Sequence, residues 1–122
     1  DRIKLSRLSA HAIEAAEQCG GTYIPKIEEL QKINEVLEHF PPDRRLLFCD
    51  EKLKASELNL ENLKKGKWAI LIGPEGGFSE IERNYIKGLK FTFSISLGPR
   101  ILRADTAAVT AISLWQNYLG DW

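Results

Sequence analysis

Two short, continuous apolar runs, Leu46-Leu47-Phe48-Cys49 and Trp68-Ala69-Ile70-Leu71-Ile72, narrow the possible folds more than any other feature of the chain. Apolar residues in a row, without polar alternation, suit strands covered on both faces, and such strands belong to parallel sheets flanked by helices. Both runs are therefore expected to be central parallel strands. A third extended segment follows, in which Phe93, Ile95 and Leu97 alternate with Ser94 and Ser96 before Gly98-Pro99-Arg100.

Helical spacing fills the intervals. Leu5, Leu8, Ala12, Ala15, Ala16 and Cys19 predict an amphipathic helix ended by Gly20-Gly21. Ile27, Leu30, Ile33, Leu37 and Phe40 predict a second helix, stopped by Pro41-Pro42. Residues 51–67 are mostly polar, with Leu53, Leu58, Leu60 and Leu63 as anchors, and read as a surface connection. Ser79 and Glu82 form an S-x-x-E capping box ahead of Ile81, Tyr85, Ile86 and Leu89. The last helix is expected to begin between Ala104 and Thr106 and to align Ala108, Ile112, Trp115 and Leu119 on one face. Strands alternating with helices predict an α/β domain, a mostly parallel sheet with helices on both faces. A length of 122 residues, 43% hydrophobic and 28% charged, suits one domain over residues 1–122.

No apolar stretch approaches the roughly 20 residues that cross a bilayer, and Asp1-Arg2-Ile3-Lys4 lacks the apolar core of a secretion signal, so a soluble, cytoplasmic protein is expected. Seventeen basic residues balance seventeen acidic ones, and the net charge exerts no overall pull on a polyanion. Nucleic-acid contact would have to come from Arg44-Arg45, from Lys64, Lys65 and Lys67, or from Arg100 with Arg103; a solvated charged face is the first reading of each, and only the last patch sits in a loop with other marks of a site. Cys19 and Cys49 have no metal-ligand spacing, which argues against a metal site; both read as buried thiols. His11 and His39 have no identifiable partner.

Chemistry concentrates in two loops, Gly73 to Ser79 and Leu97 to Arg103, both at the carboxyl ends of their strands, where open parallel sheets bind ligands. Glycines let a ligand approach the backbone, and the adjoining prolines stiffen the turn. Glu75 opposes a phosphate, and the loop has neither the Lys-Ser/Thr ending of a P-loop nor the G-x-G-x-x-G order of a dinucleotide site. A sulfonium nucleoside, carrying positive charge, suits a carboxylate beside bare backbone. Ile101 and Leu102 offer apolar surface to a purine. A tight strand-to-helix turn is the alternative for the first loop. Ala104, Ala107, Ala108 and Ala111 would let the last helix lie close to other backbone or to a ligand, although for the alanines alone simple helix propensity is the favoured reading.

The motif I-G-P-E-G-G-F-S, from Ile72, together with L-G-P-R-I-L-R-A-D-T-A, from Leu97, resembles the ribosomal RNA uridine-N3-methyltransferases of the RsmE type, in the SPOUT class. Glu14 to Gly20 followed by Ile24-Pro25, and the ending Leu119-Gly120-Asp121, extend the likeness over nearly the whole chain. The resemblance implies a trefoil knot near the carboxyl terminus, an exception to the rule against threaded chains. It also implies a homodimer, S-adenosylmethionine as cofactor and small-subunit ribosomal RNA as partner, with no metal. Carried over by residue, Ile72, Gly73, Pro74, Gly76, Leu97, Gly98, Ile101 and Leu102 surround the cofactor. Arg103, or in its place Arg100, steadies negative charge on the uracil. Glu75 assists deprotonation or orients its loop, and Asp105 caps the last helix or holds an arginine. Gly21 stands where members often carry arginine, and Asp105 where glutamate is common. Members also begin with a small β-rich RNA-binding domain and an opening methyltransferase segment, so the chain is expected to be a fragment. The competing expectations are a noncatalytic cofactor-binding or dimerisation module and a nucleotide hydrolase, the latter disfavoured by the missing phosphate-binding lysine.

Overall fold

Three strands pair side by side in the order β2-β1-β3, all parallel. They are β1 (Arg44–Cys49), β2 (Lys67–Leu71) and β3 (Thr92–Ile95). The helices are α1 (Leu5–Gln18), α2 (Ile33–Glu38), α3 (Glu80–Lys87) and α4 (Ala104–Leu119), with a 3-10 turn at Leu60–Asn62. The computed structural model describes residues 4–53, 55 and 59–122. Leu58, one of the expected anchors, lies outside them. The chain divides into two compact units, Asp1–Phe40 and Pro41–Trp122.

In the first unit, α1 ends as its sequence indicates: the N–H groups of Gly20 and Gly21 return to the carbonyls of Glu17 and Ala16. Cys19 is exposed at the end of that helix, against the expectation of a buried thiol, since α1 contains no buried residue. α2 is shorter than its apolar spacing suggests. No Ser, Thr, Asp or Asn stands just before Ile27 to cap a helix there. Leu30 is 76% exposed, and a short helix without a covered face does not hold. Leu37 is the buried residue of α2.

In the second unit, β1 is central and its middle residues Leu46, Leu47 and Phe48 are buried. β2 lies at an edge among the described strands and is only half-buried, which corrects the expectation that both apolar runs are central. Alternation along β1 sends Leu47 and Cys49 to one face and Phe48 and Asp50 to the other. Leu47 and Ile95 pack with Leu60 and Leu119, and Leu114 and Trp115 of α4 lie against that cluster. On the opposite face Phe48 meets Phe78 edge-on, ring centres 5.6 Å apart, and Asp50 meets Arg83 of α3. Helices therefore cover both faces.

Two boundaries differ from their sequence pattern. β3 stops at Ile95, because the Ser96 hydroxyl bonds both the N–H and the carbonyl of Gly98 and diverts the chain into a turn. α4 buries Ala107, Ala111 and Leu119, while Ile112 is 51% exposed. The inner face of α4 is rotated by about one residue from the Ala108-Ile112 line, because the small side chains let the helix backbone lie close to its neighbours. Leu47 is fully enclosed, and Leu47→Ala should lower unfolding free energy by about 3 kcal/mol. Urea unfolding followed by circular dichroism measures this; a loss below about 1 kcal/mol would mean the site is not close-packed.

Candidate functional site

Parallel pairing brings the carboxyl ends of all three strands to one side of the sheet, and a cleft open to solvent lies there. The segment after β2 forms one wall with Ile72, Gly73, Pro74 and Glu75. The segment after β3 forms another with Leu97, Gly98, Arg100, Ile101 and Leu102. The cleft therefore unites nine of the residues singled out from the motifs. Gly76 and Arg103 do not line it. The Arg103 side chain is 81% exposed, with its Nε 3.7 Å from Asp105 Oδ1.

The first loop is held at several points. The Gly77 N–H donates to the Pro74 carbonyl at 2.9 Å, turning the chain over Glu75 and Gly76. Phe78 points inward, and a Cβ on Gly73 would stand 2.8 Å from its ring, so glycine alone allows this approach. At the far end, Ser79 Oγ accepts from the Glu82 N–H at 3.1 Å and Glu82 Oε1 accepts from the Ser79 N–H at 2.9 Å, completing the capping box. The second loop turns at Gly98, whose φ of 110° is open to glycine and costly for other residues. Asp105 accepts from the Thr106 N–H at 2.8 Å inside the first turn of α4 and lies beside Arg103.

The third wall was not anticipated. Cys49, Asp50 and Glu51 continue β1 into the cleft, and Phe78, Ala104 and Ala107 complete it. The signal was available: the rule that places ligands at strand carboxyl ends applies to β1 as much as to its neighbours. Asp50 is the least expected of these. Its side chain is 1% exposed, Arg83 Nε donates to both carboxylate oxygens at 3.0 Å, and Nη2 reaches Oδ2 at 2.9 Å. The Lys52 N–H adds a bond at 3.1 Å. These hydrogen bonds from Arg83 to Asp50 hold the guanidinium above its ordinary pKa. Lys52 also pairs with Glu80 at 2.6 Å on the surface, so two ion pairs join the end of β1 to the first turn of α3 and brace the loop between β2 and α3.

Among the described residues no ion pair engages Glu51, Glu75 or Arg100. The walls thus combine apolar side chains, bare glycine backbone and free carboxylates, a surface that repels phosphate and suits a cationic, partly apolar ligand. Burial pushes the Cys49 thiol up to about 12, which leaves it without nucleophilic thiolate at neutral pH. Among the described residues no group of three His, Cys, Asp or Glu side chains is placed to hold a metal ion, and no helix is long and apolar enough to cross a membrane.

The sequence profile of the RNA methyltransferase domain matches residues 1–116. The chain belongs to this family. It is 37% identical over 114 residues to ribosomal RNA small subunit methyltransferase E of Rickettsia conorii, covering 91% of this chain and 46% of the relative. The enzyme of the same name from Helicobacter pylori strain J99 is 35% identical over 116 residues, 95% of this chain and 47% of the relative. The chain spans about half the length of the curated relatives it matches. Among solved structures, a Legionella pneumophila protein with bound S-adenosylmethionine superposes with a TM-score of 0.83 at 29% identity, covering 100% of this chain and 52% of that one. A Neisseria gonorrhoeae ribosomal RNA small subunit methyltransferase E, bound to the same molecule, gives 0.80 at 28% identity, covering 97% and 49%.

In this methyltransferase domain, Asp50→Asn should cost about 3 kcal/mol, because it leaves the Arg83 guanidinium without its buried counter-charge. Arg83→Leu in the same chain should restore part of that loss. Equal unfolding midpoints for wild type and Asp50→Asn would show that the pair does not brace the loop. The pH dependence has a defined sign. Lys52 holds the Glu80 carboxyl below its ordinary pKa, and hydrogen bonds from Ser79 do the same for Glu82. Their contribution is present above the unfolded carboxylate pKa and lost as pH falls through the lowered folded values. Unfolding measured from about pH 5 to pH 3 should show this acid decline, and Glu82→Gln should flatten the part due to Glu82; an identical slope would contradict that assignment.

Proposed function

We propose that the chain is the cofactor-binding portion of an S-adenosylmethionine-dependent methyltransferase that modifies N3 of a uridine in small-subunit ribosomal RNA. The observation that carries this reading is the convergence of both motif loops on one cleft, in a chain that superposes on two structures holding S-adenosylmethionine. The residues suit that molecule. Ile101 leaves 68% of its surface uncovered at the cleft, an apolar face for a purine ring, with Leu102, Ile72 and Leu97 beside it. Gly73 and Gly98 present backbone to its polar edges, Pro74 stiffens the wall, and Gly76 shapes the turn behind it. Glu51 and Glu75 supply the negative charge that a sulfonium centre favours. The motif match extends the proposal to a trefoil knot near the carboxyl end, a homodimer with the substrate site near its interface, and a cytoplasmic place of action.

Bound in this cleft, the cofactor supplies an electrophilic methyl group. The protein's part is to remove the imide proton from uracil N3 and to steady the charge that spreads to the flanking carbonyl oxygens. Arg103 is suited to the second task. Its exposed pairing with Asp105 is weak, so the guanidinium can leave it for a substrate at little cost. Arg100, already at the cleft wall, is the alternative. Glu75, one of the carboxylates on the cleft wall, is assigned to accept the proton, or else to orient its own loop. A second reading is a noncatalytic cofactor-binding or dimerisation module, in which the same cleft holds the cofactor without acting on RNA.

Methyl transfer to small-subunit RNA by the intact gene product tests these roles. Arg103→Ala should lower turnover about 100-fold while calorimetry shows unchanged cofactor affinity. Loss of cofactor binding alone would contradict the role, and the same split in Arg100→Ala would transfer it to Arg100. Glu75→Gln should remove the acid limb of the rate-against-pH curve; an unaltered curve and rate would leave Glu75 a loop carboxylate. Cofactor binding without any methyl transfer would favour the noncatalytic module.

A further inference from the structure

Parallel strands gather their amino ends as surely as their carboxyl ends, and in this chain the residues leading into each strand are basic. Arg44 opens β1 and pairs in register with Lys67, which opens β2. Lys64 and Lys65 stand in the turn before β2, and Lys90 in the turn into β3. Arg44, Lys64, Lys65 and Lys90 are exposed, and no described carboxylate pairs with them. Lys67 is joined to Asp43 by an exposed contact at 3.1 Å, weak enough to exchange for another anion. Arg45 lies 5.8 Å above the Trp68 ring, which fixes its guanidinium at the same end.

The whole chain carries no net charge, so this excess is local. The opposite end, where the cleft lies, mixes its charges: Asp50 and Glu80 are paired there with Arg83 and Lys52, and Glu51 and Glu75 share the cleft wall with Arg100. We infer that the amino end of the sheet is a docking surface for the sugar-phosphate backbone of RNA, separate from the cofactor cleft. This rests on the RNA-modifying reading above and adds the place where RNA outside the target nucleotide is held. Unpaired ammonium and guanidinium groups exchange their counterions for phosphates, the main source of affinity for nucleic acid. None of the described residues in these turns is an exposed large apolar side chain, as a membrane anchor or a protein hot spot requires. β1 is six residues long, roughly 20 Å, a reach that a folded RNA covers while presenting one base to the cleft.

The test is binding of the intact gene product to small-subunit ribosomal RNA from roughly 50 to 200 mM salt, for wild type and for Arg44→Gln, Lys64→Gln, Lys65→Gln and Lys90→Gln combined. Affinity near physiological salt should fall at least about tenfold, and the slope of log affinity against log salt should become shallower by about 2 to 4. Lys64→Gln with Lys65→Gln alone should give about half that change in slope, which guards against misfolding of the fourfold variant. Cofactor affinity should stay at the wild-type value. Unchanged RNA affinity and slope, with methyl transfer intact, would overturn the docking surface and leave the methyltransferase reading standing. An equal loss on neutralising Lys26 and Lys32 would also overturn it, because the effect would then follow total charge. Failure of the wild type to bind S-adenosylmethionine would instead remove the reading on which the surface depends.

Discussion

Parallel pairing of β1 with both neighbours constrains nearly everything else in the second unit. A strand hydrogen-bonded on both edges and covered on both faces has no place for a solvated side chain, and Leu46, Leu47 and Phe48 are accordingly buried. The same pairing forces each connection to return across a face of the sheet, and α3 makes that return between β2 and β3. It also separates the molecule chemically. Strand exits collect glycines, apolar side chains and charges of both signs around a cleft; strand entries are mainly lysine and arginine, with Asp43 among them.

The cleft depends on walls that keep their shape. Phe78 wedges between Gly73 and Phe48, the Ser79–Glu82 box pins the start of α3, and Ser96 closes its turn on Gly98. Asp50 and Arg83 tie the loop's two supports together from beneath. Ordering of these segments is thus largely complete before a ligand arrives, which reduces the entropic cost of binding. Arg100 and Arg103 are the contrast. Both are exposed, one on the cleft wall and one in solvent beside Asp105.

What the sequence makes legible is what local chemistry determines. Ser79 and Glu82 declare a helix start because the capping box closes within four residues. The apolar runs declare strands, and the two Gly-Pro loops declare their ends. Features set by distant partners are not legible in this way. Leu30 has helical spacing with Ile27 and Ile33, yet nothing covers it. Ile112 shares an apolar line on α4 with Trp115 and Leu119, yet only the latter two reach the core, while Ala107 and Ala111 turn inward in the first half of the helix. Asp50 and Arg83 lie 33 positions apart and carry no motif; only the return of α3 over the sheet brings them together. Two walls of the cleft were therefore legible as glycine motifs, while the β1 wall carries no motif and follows only from the rule that places ligands at strand carboxyl ends. The names of cofactor and substrate came from the extended motif likeness, since composition and spacing reach only to a backbone-lined ligand site.

In the proposed function the loops after β2 and β3 together hold S-adenosylmethionine. Amide hydrogen exchange with and without that molecule reads backbone protection segment by segment. Protection is predicted to rise in residues 72–79 and 97–104, with a smaller rise at 49–51 and none in α1. No change in either loop, or protection confined to one of them, would contradict the claim.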